Sequence, residues 1–218
     1  MADDSGAADG TGEPLTLYEL KPRFQALLRP LVGRLAAAGV TANQVTLAAA
    51  IVSVAVGVLV AWGAETRLLF LLLPVWLFAR MALNAVDGML AREHGQKSRL
   101  GAYLNELSDV VSDAALLLPF AVLPVFGAIA VAVVAVLAAL SEMAGVLGQT
   151  VGASRRYDGP LGKSDRAFVF GALAFWIGVG GPLPAWLFWL MPVIAVALTL
   201  TTINRVRAGL AEAAARPS

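Results

Sequence analysis

Asn84-Ala85-Val86-Asp87-Gly88-Met89-Leu90-Ala91-Arg92, a polar link of eight residues, and Gly101-Ala102-Tyr103-Leu104-Asn105-Glu106-Leu107-Ser108-Asp109-Val110-Val111-Ser112-Asp113 decide how this chain is read. Each half is set in an apolar stretch, Leu68 to Val86 before the link and Leu100 to Leu123 after it. A charged side chain inside such a stretch costs about 3 kcal/mol on insertion scales, and it is kept mostly for function or pairing. Asn84 and Asp87 are three residues apart and share a helical face. Asn105, Asp109 and Asp113 follow at intervals of four and form a row on the next helix. At 1.5 Å per residue, Asp87 lies about 8 Å along its helix from Arg92, and Asn105 and Asp109 lie about 9 and 15 Å from Arg99. The oxygens therefore gather near one end of two antiparallel helices, where a hard divalent cation shared with a phosphate-bearing ligand is the economical way to tolerate them. Gly88 and Gly101 let a ligand or another helix approach the backbone, and Arg92 can fork onto phosphate.

The surrounding composition fits a bilayer. Of 218 residues 59% are hydrophobic and 14% charged, against about 25% charged in a soluble domain. A net charge of +1 removes the basic surface that nucleic acid needs, so no nucleic-acid partner is expected. Zero cysteines and a lone histidine, His94, exclude thiolate and histidine-rich metal sites and cysteine nucleophiles. Spans of about 20 residues are expected at Val45 to Trp62, Leu68 to Val86, Leu100 to Leu123, Val125 to Val146, Phe168 to Val179 and Leu183 to Thr202; the fifth is short, and Ala172 to Trp189 can blur into the sixth. The fold class is thus an all-α membrane protein with six transmembrane helices.

Residues 1–14 read as a disordered tail without secretory-signal character. Residues 15–40 form a basic amphipathic juxtamembrane helix, its stripe Leu17, Leu20, Phe24, Leu27, Leu28, Leu31 and Leu35 interrupted by Pro22 and Pro30. It can lie at the membrane surface, pack on the protein, or do both. Residues 41–207 are the six-helix domain and 208–218 a cytoplasmic tail. Of the 16 Lys and Arg, all but Arg67 and Arg80 fall on one side of the expected spans. Both termini and the acidic cluster then face the cytoplasm, and Arg-rich, Lys-poor usage suggests the cytoplasmic membrane of a bacterium.

Taken together, Asp87-Gly88-x-x-Ala91-Arg92, eight residues, Gly101, three residues, Asn105, three residues and Asp109 resemble the signature of the CDP-alcohol phosphotransferase (phosphatidyltransferase) family, D-x-x-D-G-x-x-A-R-x8-G-x-x-x-D-x-x-x-D. Thr41-Ala42-Asn43-Gln44-Val45-Thr46 looks like the family's T-P-N-x-L-T entry to the first span, with Ala42 at the proline. The resemblance covers roughly Leu15 to Arg207. It implies transfer of a substituted phosphate, usually phosphatidyl, from CDP-diacylglycerol or another CDP-alcohol to a small alcohol acceptor, with release of CMP. It implies Mg2+ or Mn2+ held at Asp87, Asp109, Asn84 and Asn105, and Asp109 as general base. It further implies receipt of the CDP moiety by Asn43, Gly88, Ala91, Arg92 and Gly101, and a membrane enzyme for which a homodimer is common.

Two positions depart: Asn84 and Asn105 stand where the family has its first and third aspartates. Each amide can still offer an oxygen but removes a negative charge, so metal binding is weakened or one ion suffices. Glu106 and Asp113 can restore the charge. A register shifted to Asp109 and Asp113 would put Asn105 at the glycine position; the unshifted one keeps Gly101 and the eight-residue gap. The basic segment with Arg155, Lys163 and Arg166 either receives a phosphate or carboxylate of the acceptor or only anchors the loop, and Glu142 either pairs with Arg80 or lines the cavity. Trp62, Trp76, Trp186 and Trp189 read as interfacial anchors. The rival readings are a catalytically weakened or inactive member that binds CDP-lipid, and, more remotely, a transporter.

Overall fold

The computed structural model describes residues 17–215, with side chains from residue 23. The expected tail 1–14 lies outside the described residues. The described chain is helical without strands: α1 (Leu17–Ala37), α2 (Ala42–Trp62), α3 (Leu72–Glu93), α4 (Arg99–Ala121), α5 (Ala128–Leu147), α6 (Lys163–Gly178) and α7 (Leu190–Ala215), with single 3-10 turns leading into α3 and α7 and one following α5.

Four helical stretches, Ala42–Trp62, Arg67–Glu93, Ala128–Val151 and Ala185–Ala215, are long and apolar enough to cross a membrane. The two other helices expected to span fall outside that set for physical reasons. α4 carries Arg99, Glu106, Asp109 and Asp113, and α6 has 16 residues, about 24 Å of helix. α7 runs on to Ala215, so most of the segment expected as a tail continues a helix.

α2 holds the bundle together through small residues. Thr46, Ala49, Ser53 and Gly57 are buried along one face, and a Cβ placed on Gly57 would lie 2.2 Å from the Ala115 carbonyl oxygen of α4. Such backbone contact is how membrane helices gain close packing when lipid is as apolar as their own side chains. α5 packs on α7 and on α4, and α6 on α3. The main core has Phe120 at its hub, with ring centroids 5.9 Å from Phe70, 5.9 Å from Phe126 and 5.3 Å from Phe170.

A second buried cluster, Val32, Ala42, Val45, Val86, Met89 and Leu90, ties α1 to the ends of α2 and α3. The helix is continuous from Leu17 to Ala37, so neither Pro22 nor Pro30 interrupts it. On its exposed side Arg29 donates to Glu93 of α3 through two hydrogen bonds of 3.0 and 3.2 Å. Of the expected stripe, Leu28 and Leu35 pack on the protein, Leu27 and Leu31 stay exposed, and the fully buried anchor is Val32. Packing and an outward apolar edge coexist in this helix. Trp62, Trp186 and Trp189 are exposed, but Trp76 donates its ring N–H to Ser53 Oγ at 2.9 Å and is an interhelical contact.

Candidate active site

The start of α2, the end of α3 and the start of α4 meet at one end of the bundle. Thr41 caps α2 by accepting from the Gln44 N–H at 3.2 Å, while Gln44 Oε1 accepts from the Thr41 N–H at 2.9 Å, a reciprocal capping box. Ala42 keeps an N–H that a proline there would lack. Gln96 Oε1 accepts from it at 2.7 Å, and Gln96 Nε2 donates to the Val40 carbonyl at 3.3 Å. The polar link between α3 and α4 is thereby stapled to α2. On α4, Ser98 caps the helix by accepting from the Gly101 N–H at 2.9 Å. A Cβ on Gly101 would meet Asn43 Oδ1 at 2.8 Å, so Asn43 and Gly101, from different helices, form one surface. Gly88 is covered by its own neighbour one turn on: the Arg92 guanidinium would lie 2.9 Å from a Cβ there. Ala91 packs beneath, against the α1–α2–α3 cluster.

Asp87 is buried and accepts from Thr46 Oγ1 at 2.8 Å. Asp109 and Lys163 are within electrostatic range of it. Asp109 stands on α4 with Oδ1 held by Arg80 at 3.0 Å and by Lys163 Nζ, and its Oδ2 has no hydrogen bond among the described residues. Asn84 and Asn105 are half-buried; the Asn105 amide reaches Glu106 Oε1 at 3.5 Å.

Behind these residues runs a lattice of ion pairs. Arg80 also donates to Asp113 at 2.6 Å; Arg166 bridges Asp113 at 2.7 Å and Glu142 at 3.1 Å. Arg155 pairs with Glu106 and reaches Glu142 at 3.5 Å, and Arg205, 2% exposed, faces Glu142 at 3.4 Å while donating to the Ser141 carbonyl at 2.6 Å. Arg80 thus belongs to the α4 acids and Glu142 to Arg155, Arg166 and Arg205. The sequence-based pairing of Glu142 with Arg80 is replaced, because Arg80 faces α4 whereas Glu142 on α5 faces α6, α7 and the loop. Glu106 and Asp113, expected to restore charge lost at Asn84 and Asn105, are already matched by arginines. A small cavity of about 30 Å³ touches Asp113, Lys163 and Arg166. An apolar groove of about 340 Å³ opens between α3 and α6 beside Ser164, lined by Phe78, Met81, Phe168 and Phe175 among others.

The loop leading to Lys163 is fixed to α7. Gly159, at φ +124°, would place a Cβ 2.6 Å from the Thr201 Cα, and the Leu161 N–H donates to Thr201 Oγ1 at 3.1 Å. Arg156 joins Asp158 at 2.8 Å and Glu212 at 2.6 Å. The hydrogen bond and charge of Arg156 hold the Asp158 carboxyl below the usual range, and the same contact raises the Arg156 guanidinium. Sequence reasoning missed Thr46, Arg80 as a partner of Asp109, and Arg205. Thr46 sits within the quoted entry motif, one turn from Ala42, and its hydroxyl was the available signal.

The CDP-alcohol phosphatidyltransferase family matches residues 39–201, which contain this whole arrangement except Arg205 and Glu212. The chain belongs to the CDP-alcohol phosphatidyltransferase family. Among curated proteins it is similar to the inner membrane protein YnbA of Escherichia coli (strain K12), 48% identical over 199 residues covering 90% of this chain and 97% of that protein. Its fold is similar to two structures of Mycobacterium tuberculosis phosphatidylinositol phosphate synthase (PgsA1). The structure in complex with manganese and citrate gives a TM-score of 0.69 at 22% identity, covering 87% of this chain and 92% of that one. The structure with CDP-DAG bound gives 0.67 at 23% identity, covering 87% and 97%. This member of the family is an all-helical membrane protein of the transferase class.

Proposed function

We propose that the chain transfers a phosphatidyl group from CDP-diacylglycerol, or a related CDP-alcohol, to a small alcohol, releasing CMP at the cytoplasmic face of a bacterial membrane. The observation that carries this reading is the survival of Asp87 and Asp109 on facing helices, within electrostatic range of each other, inside the matched segment 39–201. In the proposal the CDP moiety lies over Asn43, Gly88, Ala91 and Gly101, with Arg92 swinging from Gly88 onto phosphate. The α3–α6 groove, which begins beside the site at Ser164, suits an acyl chain of the donor. All six helices α2 to α7 cross the bilayer, α4 and α6 turning their charges inward, and both termini are cytoplasmic. Since the chain has no cysteine, single cysteines introduced at residue 66 and at residue 212 would report opposite sides by accessibility to an impermeant thiol reagent.

The donor set can be tested for a metal. Among the described residues there is no group of three or more histidine or acidic side chains able to hold an ion. Asp87 and Asp109 supply two carboxylates, and Asn84 and Asn105 two amide oxygens. That set fits one magnesium or manganese ion bound jointly with substrate phosphates, since magnesium keeps waters and needs one or two carboxylates; it does not form a ready-made protein cage. Such an ion would polarise the pyrophosphate and stabilise the charge growing on the leaving phosphate.

The chain's own residues do the rest. Asp109 Oδ2 accepts the hydrogen of the acceptor hydroxyl, while Arg80 and Lys163 hold Oδ1 and fix the carboxylate's rotation. The acceptor oxygen attacks the phosphorus bearing the diacylglycerol; the new P–O bond forms, the pyrophosphate P–O bond breaks, CMP departs, and the hydroxyl proton passes to Asp109. Arg155, Lys163 and Arg166 border the space the acceptor would fill. The test is CMP release from CDP-diacylglycerol across a panel of alcohols with magnesium or manganese. Asp109→Asn should lose at least about a hundredfold in turnover while CDP-diacylglycerol still binds. Full turnover in Asp109→Ala with loss in Asp113→Ala would overturn the register. The second reading, a binding protein with little or no catalysis, is favoured by Asn84, Asn105 and the two cations on Asp109; it predicts CDP-lipid binding without CMP release under every condition.

A further inference from the structure

We infer that Glu212, in the last turn of α7, is a positioning residue that aims Arg155 at the acceptor; this rests on the proposed transferase reading. Thr201, Arg205, Gly209 and Glu212 follow on α7 at intervals of four, four and three, so they form one stripe, and the first three are buried. The stripe carries the loop from α5 to α6. Near Lys163 the Leu161 N–H donates to Thr201 Oγ1 at 3.1 Å. About 16 Å farther along α7, Glu212 takes three donors from the start of the same loop: the Ser154 N–H at 3.0 Å, the Ser154 hydroxyl at 2.8 Å and Arg156 Nη1 at 2.6 Å. The family match ends at residue 201, and the sequence reads residues 208–218 as a tail, yet this turn of α7 holds a segment that reaches the ion-pair lattice.

The loop backbone is seated against glycines. A Cβ on Gly145 would lie 2.6 Å from the Arg156 carbonyl oxygen, one on Gly148 2.9 Å from the Ser154 carbonyl oxygen, and one on Gly209 3.6 Å from Arg156 Cγ. The Arg156 N–H donates to the Gly145 carbonyl at 3.0 Å. The segment thus runs in a slot between α5 and α7, and Glu212 closes it. Its contacts alternate. Ser154 and Arg156 turn to Glu212, while Arg155 between them turns to Glu106 on α4 and to Glu142 on α5 at 3.5 Å, with its guanidinium 5.1 Å from the Tyr157 ring centroid. Successive side chains of an extended segment point opposite ways, so clamping Ser154 and Arg156 fixes the direction of Arg155. Direction matters because Arg155 Nε is a buried donor with no partner among the described residues. Buried donors without acceptors are rare, and this one suits an oxygen of the acceptor alcohol, in a hydroxyl or in an acidic group.

The experiment measures CMP release by the full chain in nanodiscs with magnesium or manganese, varying in turn CDP-diacylglycerol and the best alcohol of a panel that includes neutral and acidic members. Glu212→Ala should raise KM for the alcohol at least about tenfold, the scale of one lost charge-assisted hydrogen bond, and leave kcat and KM for CDP-diacylglycerol within about twofold. Glu212→Gln keeps an oxygen for the Ser154 N–H but not the charge facing Arg156, and should fall between. In Glu212→Ala with Arg155→Met, the alcohol KM should be no higher than in Arg155→Met alone. Effects that multiply, or a uniform loss in kcat and both KM values, would show that Glu212 does not act through Arg155 and overturn the inference. Hydrogen exchange gives a readout without turnover: Glu212→Ala should speed exchange at the Ser154 and Arg156 amides while α4 keeps its protection, and unchanged exchange also overturns the inference. Faster exchange beside an unaltered alcohol KM overturns it alone and leaves the transferase reading standing. Absence of CMP release from the wild type with every alcohol overturns that reading and, with it, the role given to Glu212.

Discussion

Glu142→Gln should be the most damaging conservative substitution in the lattice, and its damage should be repaired by a second substitution that removes a cation. Glu142 sits on α5, 6% exposed, and faces three guanidinium groups: Arg166 at 3.1 Å, Arg205 at 3.4 Å and Arg155 at 3.5 Å. The partners are not equally dependent on it. Arg166 keeps Asp113 and Arg155 keeps Glu106, but Arg205 has no other carboxylate among the described residues, only the Ser141 carbonyl. Neutralising Glu142 therefore strands Arg205, which is 2% exposed. Breaking a buried pair by removing one partner costs about 3–5 kcal/mol, whereas replacing both by neutral groups of similar shape is often near neutral.

The double variant Glu142→Gln with Arg205→Met should accordingly recover most of what Glu142→Gln loses, a coupling of about 2–3 kcal/mol, the upper part of the range for contacting residues. The assay is a double-mutant cycle on unfolding in a mild detergent titrated with a denaturing one, followed by tryptophan fluorescence. Glu142→Gln with Arg155→Met is the comparison, expected to recover less because Arg155 retains Glu106. Additive losses in the Arg205 cycle, or equal recovery in both cycles, would refute the argument that Arg205 depends on Glu142 alone.

Gly57→Ala should destabilise by about 1–3 kcal/mol, the usual cost of overpacking, because its Cβ would meet the Ala115 backbone oxygen at 2.2 Å. Gly33→Ala on α1, with nothing within 4 Å, should be neutral or stabilising by about 0.5–1 kcal/mol; thermal unfolding compares the two. Gly101→Ala should cost at most about 1 kcal/mol, because it displaces Asn43 Oδ1 and disturbs the Ser98 Oγ that caps α4. It should raise KM for the CDP donor, which steady-state kinetics would show. The Arg156–Asp158 contact depresses the Asp158 carboxyl, so its stabilising contribution is present above the ordinary carboxylate range and disappears as pH falls through the depressed value, below about pH 4. Hydrogen exchange in residues 152–162, corrected for intrinsic rates, should rise there in the wild type, and in Asp158→Asn that pH dependence should flatten.

How much of this was legible in the sequence depends on whether the determining contact is local. Some helix ends followed the apolar stretches, α2 ending at the expected Trp62 and α4 opening one residue before Leu100, because a run of apolar residues and its caps are written within a few positions; α3 and α7 instead run on to Glu93 and Ala215, past the expected Val86 and Thr202. The faces were legible too: three- and four-residue spacing put Asp109 and Asp113 on one row, and Arg80 bridges that row. What periodicity cannot supply is the direction in which a face points once seven helices pack. Glu142 is 24 residues from Arg166, and its neighbour Ser141 is 64 from Arg205, and only tertiary packing brings these groups together. The same holds on α1, where Leu31 and Val32 are adjacent in sequence and a rotation of about 100° per residue decides that Val32 is buried and Leu31 is not. It holds for α4 and α6 as well. Hydropathy marks them down for carrying acids and cations, yet Glu106, Asp109, Asp113, Lys163 and Arg166 are matched by opposite charges across the bundle. A helix whose charges are matched by its neighbours' charges is apolar to the lipid, whatever the average over its own residues.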